Sequence, residues 1–523
     1  MSWEKEVKDI KNKRHIAEQM GGKEATDLQH NKGRLTIRER IEGVLDKKSF
    51  DEVGKIAGHS EYDTEGTLKN FTPANFVLGF GKINNRSVVI GGEDFSLKGG
   101  SPNAAGLRKS IYTEELALKY KLPLIRLHEG AGGSVGGANQ EKKNKPTSDP
   151  VFQPSRFISL ANTLGQVPVI TAALGPVAGL PASRLVASHF SIMTKSSLVL
   201  IAGPKVVKRA LNIEISKEDL GGPNIHLKSG VINNLAETEE EAFDQIKRFL
   251  SYVPDNAWTF PERISPDDQV DRCEDLLIDI IPKDRRKPYS MRKIIHAVLD
   301  KNGNDEVFFE IGKKFGPSLI TGLGRLNGDT VGIIANDCMF YAGAMTASAA
   351  KKLERFSDFC NSFHIPILSF VDEPGFMIGP ESEKEGTIRF GTATIAAILQ
   401  SRVPWASVHI HKSFGVAATA HFGPNSYTLL WPSALSGALP VEGGVAVAFS
   451  KEIAAANDPI EKQKELEELL AKRQSPVPRA EGFSAHELID PRETRPKLIS
   501  WLEIALKAYK LEPPTPFMIT MRP

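Results

Sequence analysis

The sequence predicts an α/β protein built from two tandem β/α domains related by internal duplication. Three observations predict it. The chain has 523 residues, 41% hydrophobic and 25% charged, enough for two large domains with cores of their own. Residues 79–132 (GFGKINNRSVVIGGEDFSLKGG…LPLIRLHEGAG) and 322–375 (GLGRLNGDTVGIIANDCMFYAG…IPILSFVDEPG) run through the same elements at nearly the same spacing. The segments that follow, from Val167 (VPVITAALGPVAG) and from Val403 (VPWASVHIHKSFG), extend the parallel.

Each copy opens with Gly-x-Gly and a short strand, then a turn at Asn84–Asn85 or Asn327–Gly328. A second apolar strand follows (VVIGGED, VGIIAND), then a small-residue bend and a helix of mixed polarity. A strand opened by proline comes next, ending in an acid, Glu129 or Glu373, close to glycine. The last element is a strand feeding a small-residue turn and a helix. The domains are expected at 1–262 and 263–523, with the Pro- and charge-rich stretch Tyr252 to Tyr289 as a linker over the surface. EKKNKPTSDP from Glu141 reads as a polar surface loop, and Glu461 to Arg473 as a helix with Leu466, Leu469 and Leu470 on one side.

Composition excludes several classes. Sixty-six basic against 64 acidic residues give a net charge of +2, which argues against a dedicated nucleic-acid binder or a polybasic membrane protein. Cys273, Cys338 and Cys360 form no CxxC pair, so neither a disulfide framework nor a zinc ribbon is expected, and the protein reads as reduced and cytoplasmic. The first fifteen residues mix acids with bases and lack an apolar core, unlike a signal peptide. The longest apolar stretch, Val167 to Phe190, is interrupted by Pro168, Pro176, Pro181 and Arg184 and reads as strand, turn and helix, not a membrane span.

The chemistry is marked first by what is missing. No P-loop, dinucleotide fingerprint, HExxH, GxSxG or Cys/His metal spacing occurs, so no metal site is expected. His128, His189, His226, His296, His409, His411 and His421 are scattered and read as structural. What recurs is a strand-to-helix turn of small residues, at Gly175–Ala182 and at Lys412–Ala418. Such turns let a ligand approach the main chain and aim N–H groups at a developing oxyanion. Tight packing is the other reading of either turn alone.

Several longer segments resemble a known family. They are RLTIRERIEGVLDKKSF from Arg34, FSLKGGS from Phe95 and AGPKVVKRALNIEISKEDLGGPNIHLKSGV from Ala202, followed by KPYSMR from Lys287, FVDEPGFMIG from Phe370 and IDPRETR from Ile489. Over nearly its whole length the chain is similar to the carboxyltransferase (β) subunits of biotin-dependent propionyl-, methylcrotonyl- and acetyl-CoA carboxylases. The resemblance implies two crotonase-like domains of the ClpP/crotonase superfamily, the first for acyl-CoA and the second for carboxybiotin. It implies that N–H groups at Gly179 and Leu180 hold the thioester oxygen, and those at Val416 and Ala417 the ureido oxygen of carboxybiotin. Gly132, Gly133, Gly415 and Thr419 are the implied substrate-binding positions, Thr419 standing where the family commonly sets acyl-chain selectivity. The carboxyl group would pass to the α carbon of a short or medium acyl-CoA through a thioester enolate, with no protein acid or base.

The implied partners are acyl-CoA, a biotin carboxylase/biotin carrier subunit that brings the biotin, and further copies of the chain. Those copies form dimers assembling into a homohexamer, in which the first domain of one subunit faces the second domain of its partner. No nucleic acid, membrane or metal is implied. The chain departs from the family pattern at Leu180, Pro181 and Val416, where glycine and alanine are usual, and HEGAGG from His128 replaces the usual serine-glycine-glycine segment. Pro181 cannot donate, whereas Leu180 and Val416 keep an N–H. Alternatives are a transcarboxylase or decarboxylase subunit, a crotonase-fold hydratase or isomerase using Glu129 and Glu373, and a non-catalytic assembly subunit.

Overall fold

Both expected hairpins form, and the backbone shows why these residues stand at their tips. In the computed structural model, which describes residues 2–132, 157–284, 287–301 and 307–523, Asn84 and Asn85 take φ of 50° and 66°. They join strand β4 (Phe76–Ile83) to β5 (Arg86–Glu93) in antiparallel register. Asn327 (φ 51°) and Gly328 (φ 82°) do the same for β12 (Leu319–Leu326) and β13 (Asp329–Asn336). Two-residue hairpin turns that match strand twist need positive φ at both positions, which Asn and Gly tolerate best.

The first sheet contains β1 (Asp51–Glu52), β4, β5, β6 (Leu124–Gly130), β7 (Val169–Ala178), β8 (Phe190–Thr194), β9 (Leu198–Leu200) and β10 (Asn234–Ala236). Its spatial order is β1-β4-β5-β6-β7-β8-β10, with β9 also beside β7. The second contains β11 (Phe309–Glu310), β12, β13, β14 (Ile367–Glu373), β15 (Trp405–Phe414), β16 (Tyr427–Leu430), β17 (Leu435–Gly437) and β18 (Glu487–Leu488). Its order, β11-β12-β13-β14-β15-β16-β18 with β17 beside β15, repeats the first element for element. A separate ribbon pairs β2 (Gly58–Tyr62) with β3 (Leu68–Pro73). In each large sheet the first three strands are antiparallel and the remainder parallel.

The chain divides between Ala257 and Trp258, and Thr520–Pro523 returns to the first unit. The stretch expected as a linker is mostly a belt on the second unit. Leu277 and Tyr289 enter that unit's core, and Arg272 ties the belt to the carbonyls of Ala297 and Leu299. The helix expected at Glu461 to Arg473 runs over Pro459–Arg473, capped by Asp458, whose carboxylate accepts from the N–H groups of Ile460 and Glu461. Leu466 is buried while Leu469 stays largely exposed. The polar loop from Glu141 lies outside the described residues. No described helix is long and apolar enough to cross a membrane.

Helix Ala347–Ser362 hides a charge that its sequence does not advertise. Lys352 is buried, and its ammonium donates to the carbonyl of Leu319 at 2.6 Å. Burial pushes its pKa down to about 7, with the nearby Glu310 carboxylate opposing the shift. Between that value and the ordinary lysine range the unfolded chain binds the extra proton, so folding stability rises with pH across this window. Urea unfolding of wild type and Lys352→Met at pH 7 and pH 9.5 (about the two sides of the rise) should show the wild type gaining stability relative to the variant at the higher pH.

Candidate active site

The first small-residue turn begins where β7 stops. Gly179 takes φ 66° and ψ −130°, a conformation open to glycine, and helix Leu180–Val186 starts at the next residue. Pro181 sits in that helix's first turn, so the N–H groups available are those of Gly179 and Leu180. No backbone acceptor among the described residues takes either one. The helix is locked from behind. Arg184 Nε donates to Glu114 Oε1 at 2.8 Å and its Nη1 to Ser110 Oγ at 3.1 Å, while Arg126 pairs with the same buried Glu114. Gly132 lies against the turn, because a β-carbon there would stand 3.4 Å from Gly179 Cα. Gly133 lies outside the described residues.

The second turn repeats the handover with one difference. After β15 ends at Phe414, Gly415 takes φ 64°, close to the Gly179 value, and a 3₁₀ turn covers Ala417–His421. Gly415 donates its own N–H to the carbonyl of Gly437 at 3.1 Å. Val416 and Ala417, the next two residues, have no backbone acceptor among the described residues. Val416 is 64% exposed, and Ala417 turns its methyl inward. Thr419 closes the turn through its N–H to Val416 O, with its side chain exposed.

The acids near the ends of β6 and β14 stand one position apart in the duplication, Glu129 matching Asp372 and Glu373 matching Gly130, and their surroundings differ. Each lies at a register irregularity, between His128 and Gly130 or between Val371 and Glu373. Glu129 is buried and held by Arg34, Arg40 and Gln29, and Arg40 continues to Glu239 at 2.7 Å. Two guanidinium groups fix this carboxylate as a paired structural charge, not a base in waiting. Glu373, equally buried, accepts from Asn336 Nδ2 at 3.0 Å and from the N–H of Gly375 at 2.9 Å, and lies 3.4 Å from His421 Nε2.

Neighbouring Asp372 has a stronger set. Burial alone would raise its pKa, but His411, Lys412 and the hydroxyl of Tyr289 bring it down to about 2. Several histidines are built into the scaffold. His189 bridges the N–H of Val169 and the carbonyl of Leu164, and His226 meets the carbonyl of Val199. His409 is held neutral, its pKa pushed down to about 3 by burial and by the charge of Arg479. The sequence reading did not foresee the buried pairs Glu93–His128 (3.1 Å) and Glu373–His421, whose members are far apart in the chain. The only available signal was acids at corresponding strand ends. Among the described residues no group of three or more His, Cys, Asp or Glu could hold a metal.

Comparison with known proteins identifies the family. The carboxyl transferase domain model matches residues 28–518. The chain belongs to the carboxyl transferase domain family. It is 33% identical to the propionyl-CoA carboxylase carboxyltransferase subunit of Haloferax mediterranei over 98% of both chains. The methylmalonyl-CoA carboxyltransferase 12S subunit of Propionibacterium freudenreichii is 32% identical, over 95% of this chain and 94% of that one. A solved transcarboxylase 12S structure, described as a hexamer with methylmalonyl-CoA bound, superposes with a TM-score of 0.86 at 30% identity, covering 97% and 96% of the two chains. A single-chain long-chain acyl-CoA carboxylase shares the fold alone, with a TM-score of 0.79 at 22% identity over 96% of this chain and 48% of that one.

As a family member the chain is a carboxyltransferase subunit of the propionyl-CoA carboxylase kind, with two tandem crotonase-like domains. In this carboxyl transferase domain Glu129 is a hub of buried charge. Glu129→Gln should lower unfolding free energy in urea by about 3–5 kcal/mol, because Arg40 and Arg34 lose a carboxylate in a buried place. The folded fraction should keep its transfer rate within about tenfold, since the carboxylate has no free face to offer a substrate.

Proposed function

We propose that this chain moves a carboxyl group between carboxybiotin and the α carbon of a short or medium acyl-CoA, with the first domain serving the thioester and the second the biotin. One observation carries the reading: the same strand-to-turn handover occurs twice, at Gly179 and Gly415, each leaving main-chain donors without a backbone partner among the described residues. The second set fits a ureido oxygen, being N–H groups only, opened by a left-handed Gly415 and flanked by the exposed Val416. Carboxybiotin, delivered by a biotin carboxylase/biotin carrier subunit, would supply the activated carboxyl group.

The chain's own residues then hold charge in place. Gly179 and Leu180 would donate to the thioester oxygen and stabilise the enolate that forms when the α proton leaves. Val416 and Ala417 would donate to the ureido oxygen. Gly132, packed on Gly179, keeps the cleft wall free of side chains, and Gly133 and Gly415 would do likewise. Thr419 would touch the acyl chain. The two-guanidinium clamp on Glu129 speaks against the hydratase reading, in which that acid would move protons. The proposal includes dimers that assemble into a homohexamer, and a cytoplasmic location suited to an exposed free thiol at Cys273.

The purified chain should fail to fix bicarbonate with ATP, yet should move carboxylate from a malonyl-type CoA to free biotin. ATP-driven carboxylation without a partner would overturn the subunit reading. Val416 already has φ −69°, which suits proline, so Val416→Pro removes one N–H with little strain. Turnover should drop about 10²–10³-fold, the usual effect of losing an oxyanion donor. Thr419→Ile should change the ratio of kcat/KM between short and longer acyl-CoAs about tenfold. An unchanged ratio across an acyl-CoA panel removes Thr419 from the acyl pocket.

A further inference from the structure

Glu373 is a fully buried carboxylate at the end of β14, where the matching position of the first domain is Gly130, so it has no counterpart acid there. Among the described residues no arginine or lysine pairs with Glu373, and the one basic side chain at its oxygens is His421. An isolated buried carboxylate is costly, so this contact does more than fill space.

His421 is itself fully buried and has every polar atom of its side chain engaged. Its Nδ1 pairs with Ser369 Oγ at 2.9 Å and its Nε2 with Glu373 Oε2 at 3.4 Å. Its carbonyl accepts from Trp405 Nε1 at 3.0 Å and from Ser407 Oγ at 2.7 Å. Serine, histidine and glutamate in a row suggest a hydrolytic triad, but Ser369 has no exposed surface and no route to a substrate. The same contacts do another job. His421 is the last residue of the turn Ala417–His421, so fixing it fixes the turn's exit.

The other oxygen ties Glu373 to the backbone that runs beside the entry to the turn. Glu373 Oε1 accepts the N–H of Gly375, whose φ of 124° admits no ordinary side chain. A β-carbon at Gly375 would stand 3.9 Å from the carbonyl of Phe414, the residue immediately before Gly415. The carboxylate thus meets the exit of the segment carrying Val416 and Ala417 directly, at His421, while its own strand position pairs with Ser413, just before the entry. We infer that the His421–Glu373 pair is the positioning element of the second turn, setting where its amide donors stand for the biotin side of the reaction. The inference rests on the proposed role of that turn.

The test uses the full chain and carboxyl transfer from a malonyl-type CoA to free biotin, with kinetics resolved for each substrate. His421→Leu should lower kcat/KM for biotin about tenfold or more while leaving KM for the acyl-CoA within about twofold. His421→Gln, which keeps an N–H near the Nε2 position, should return the biotin value to within about threefold of wild type. Glu373→Gln should show the same one-sided loss, and it serves where His421→Leu does not fold. Equal losses on both substrates, or a folded variant with no loss, would overturn the pairing role. Val416→Pro separates this from the underlying reading. If Val416→Pro is silent, the turn itself is misassigned. If it costs activity while the His421 and Glu373 variants do not, only the present inference falls.

Discussion

Everything at the candidate site depends on a backbone reversal that the chain makes twice. A long parallel strand must stop being a strand, and its next amides must point outward with no carbonyl to receive them. Gly179 and Gly415, at φ 66° and 64°, make that change where an ordinary side chain would be strained. A helical turn then begins at once, and its first N–H groups have no partner inside it. The rest of each domain holds this geometry still: a sheet beneath, a second short strand (β9 or β17) beside the end of the long one, and buried polar contacts behind the turn.

The two domains keep this backbone while differing in the charge beneath it. In the first, Glu114 anchors Arg126 and Arg184, and Glu129 anchors Arg34 and Arg40, while Glu93 pairs with His128. In the second, Asp372 leans on Lys412, His411 and Tyr289, and Glu373 on Asn336, a backbone amide and His421. Arg40 and Arg184 each make several contacts, which resists loss of any one.

Much of the fold was legible because it is local. Asn84–Asn85 and Asn327–Gly328 announce tight hairpins, and small residues after apolar runs announce strand-to-helix turns. Duplication doubled each of these signals. The backbone positions proposed for the site come from the resemblance, since main-chain donors leave no residue type of their own to read. The buried pairs were not legible. Glu373 and His421 stand 48 positions apart and Arg34 and Glu129 stand 95 apart, and no periodicity reports which acid will meet which base. Lys352 is the same lesson within a helix: mixed polarity reads as a surface face, yet the tertiary structure buries the amine against a carbonyl.

A site built from amides also explains why its neighbourhood is so heavily ionic. Main-chain donors act on a forming oxyanion only if they stand within a few tenths of an ångström of their place, and a turn of five or seven residues cannot hold itself to that tolerance. The rigidity must come from outside the turn, and apolar packing, being non-directional, supplies little of it. Hydrogen-bonded charges are directional and lose much when displaced, so they hold the backbone where the donors are needed. On the proposed reading the acids at strand ends belong to the oxyanion sites without being acids in the chemistry. Their carboxylates would fix the frame, and the amides would act on the substrate.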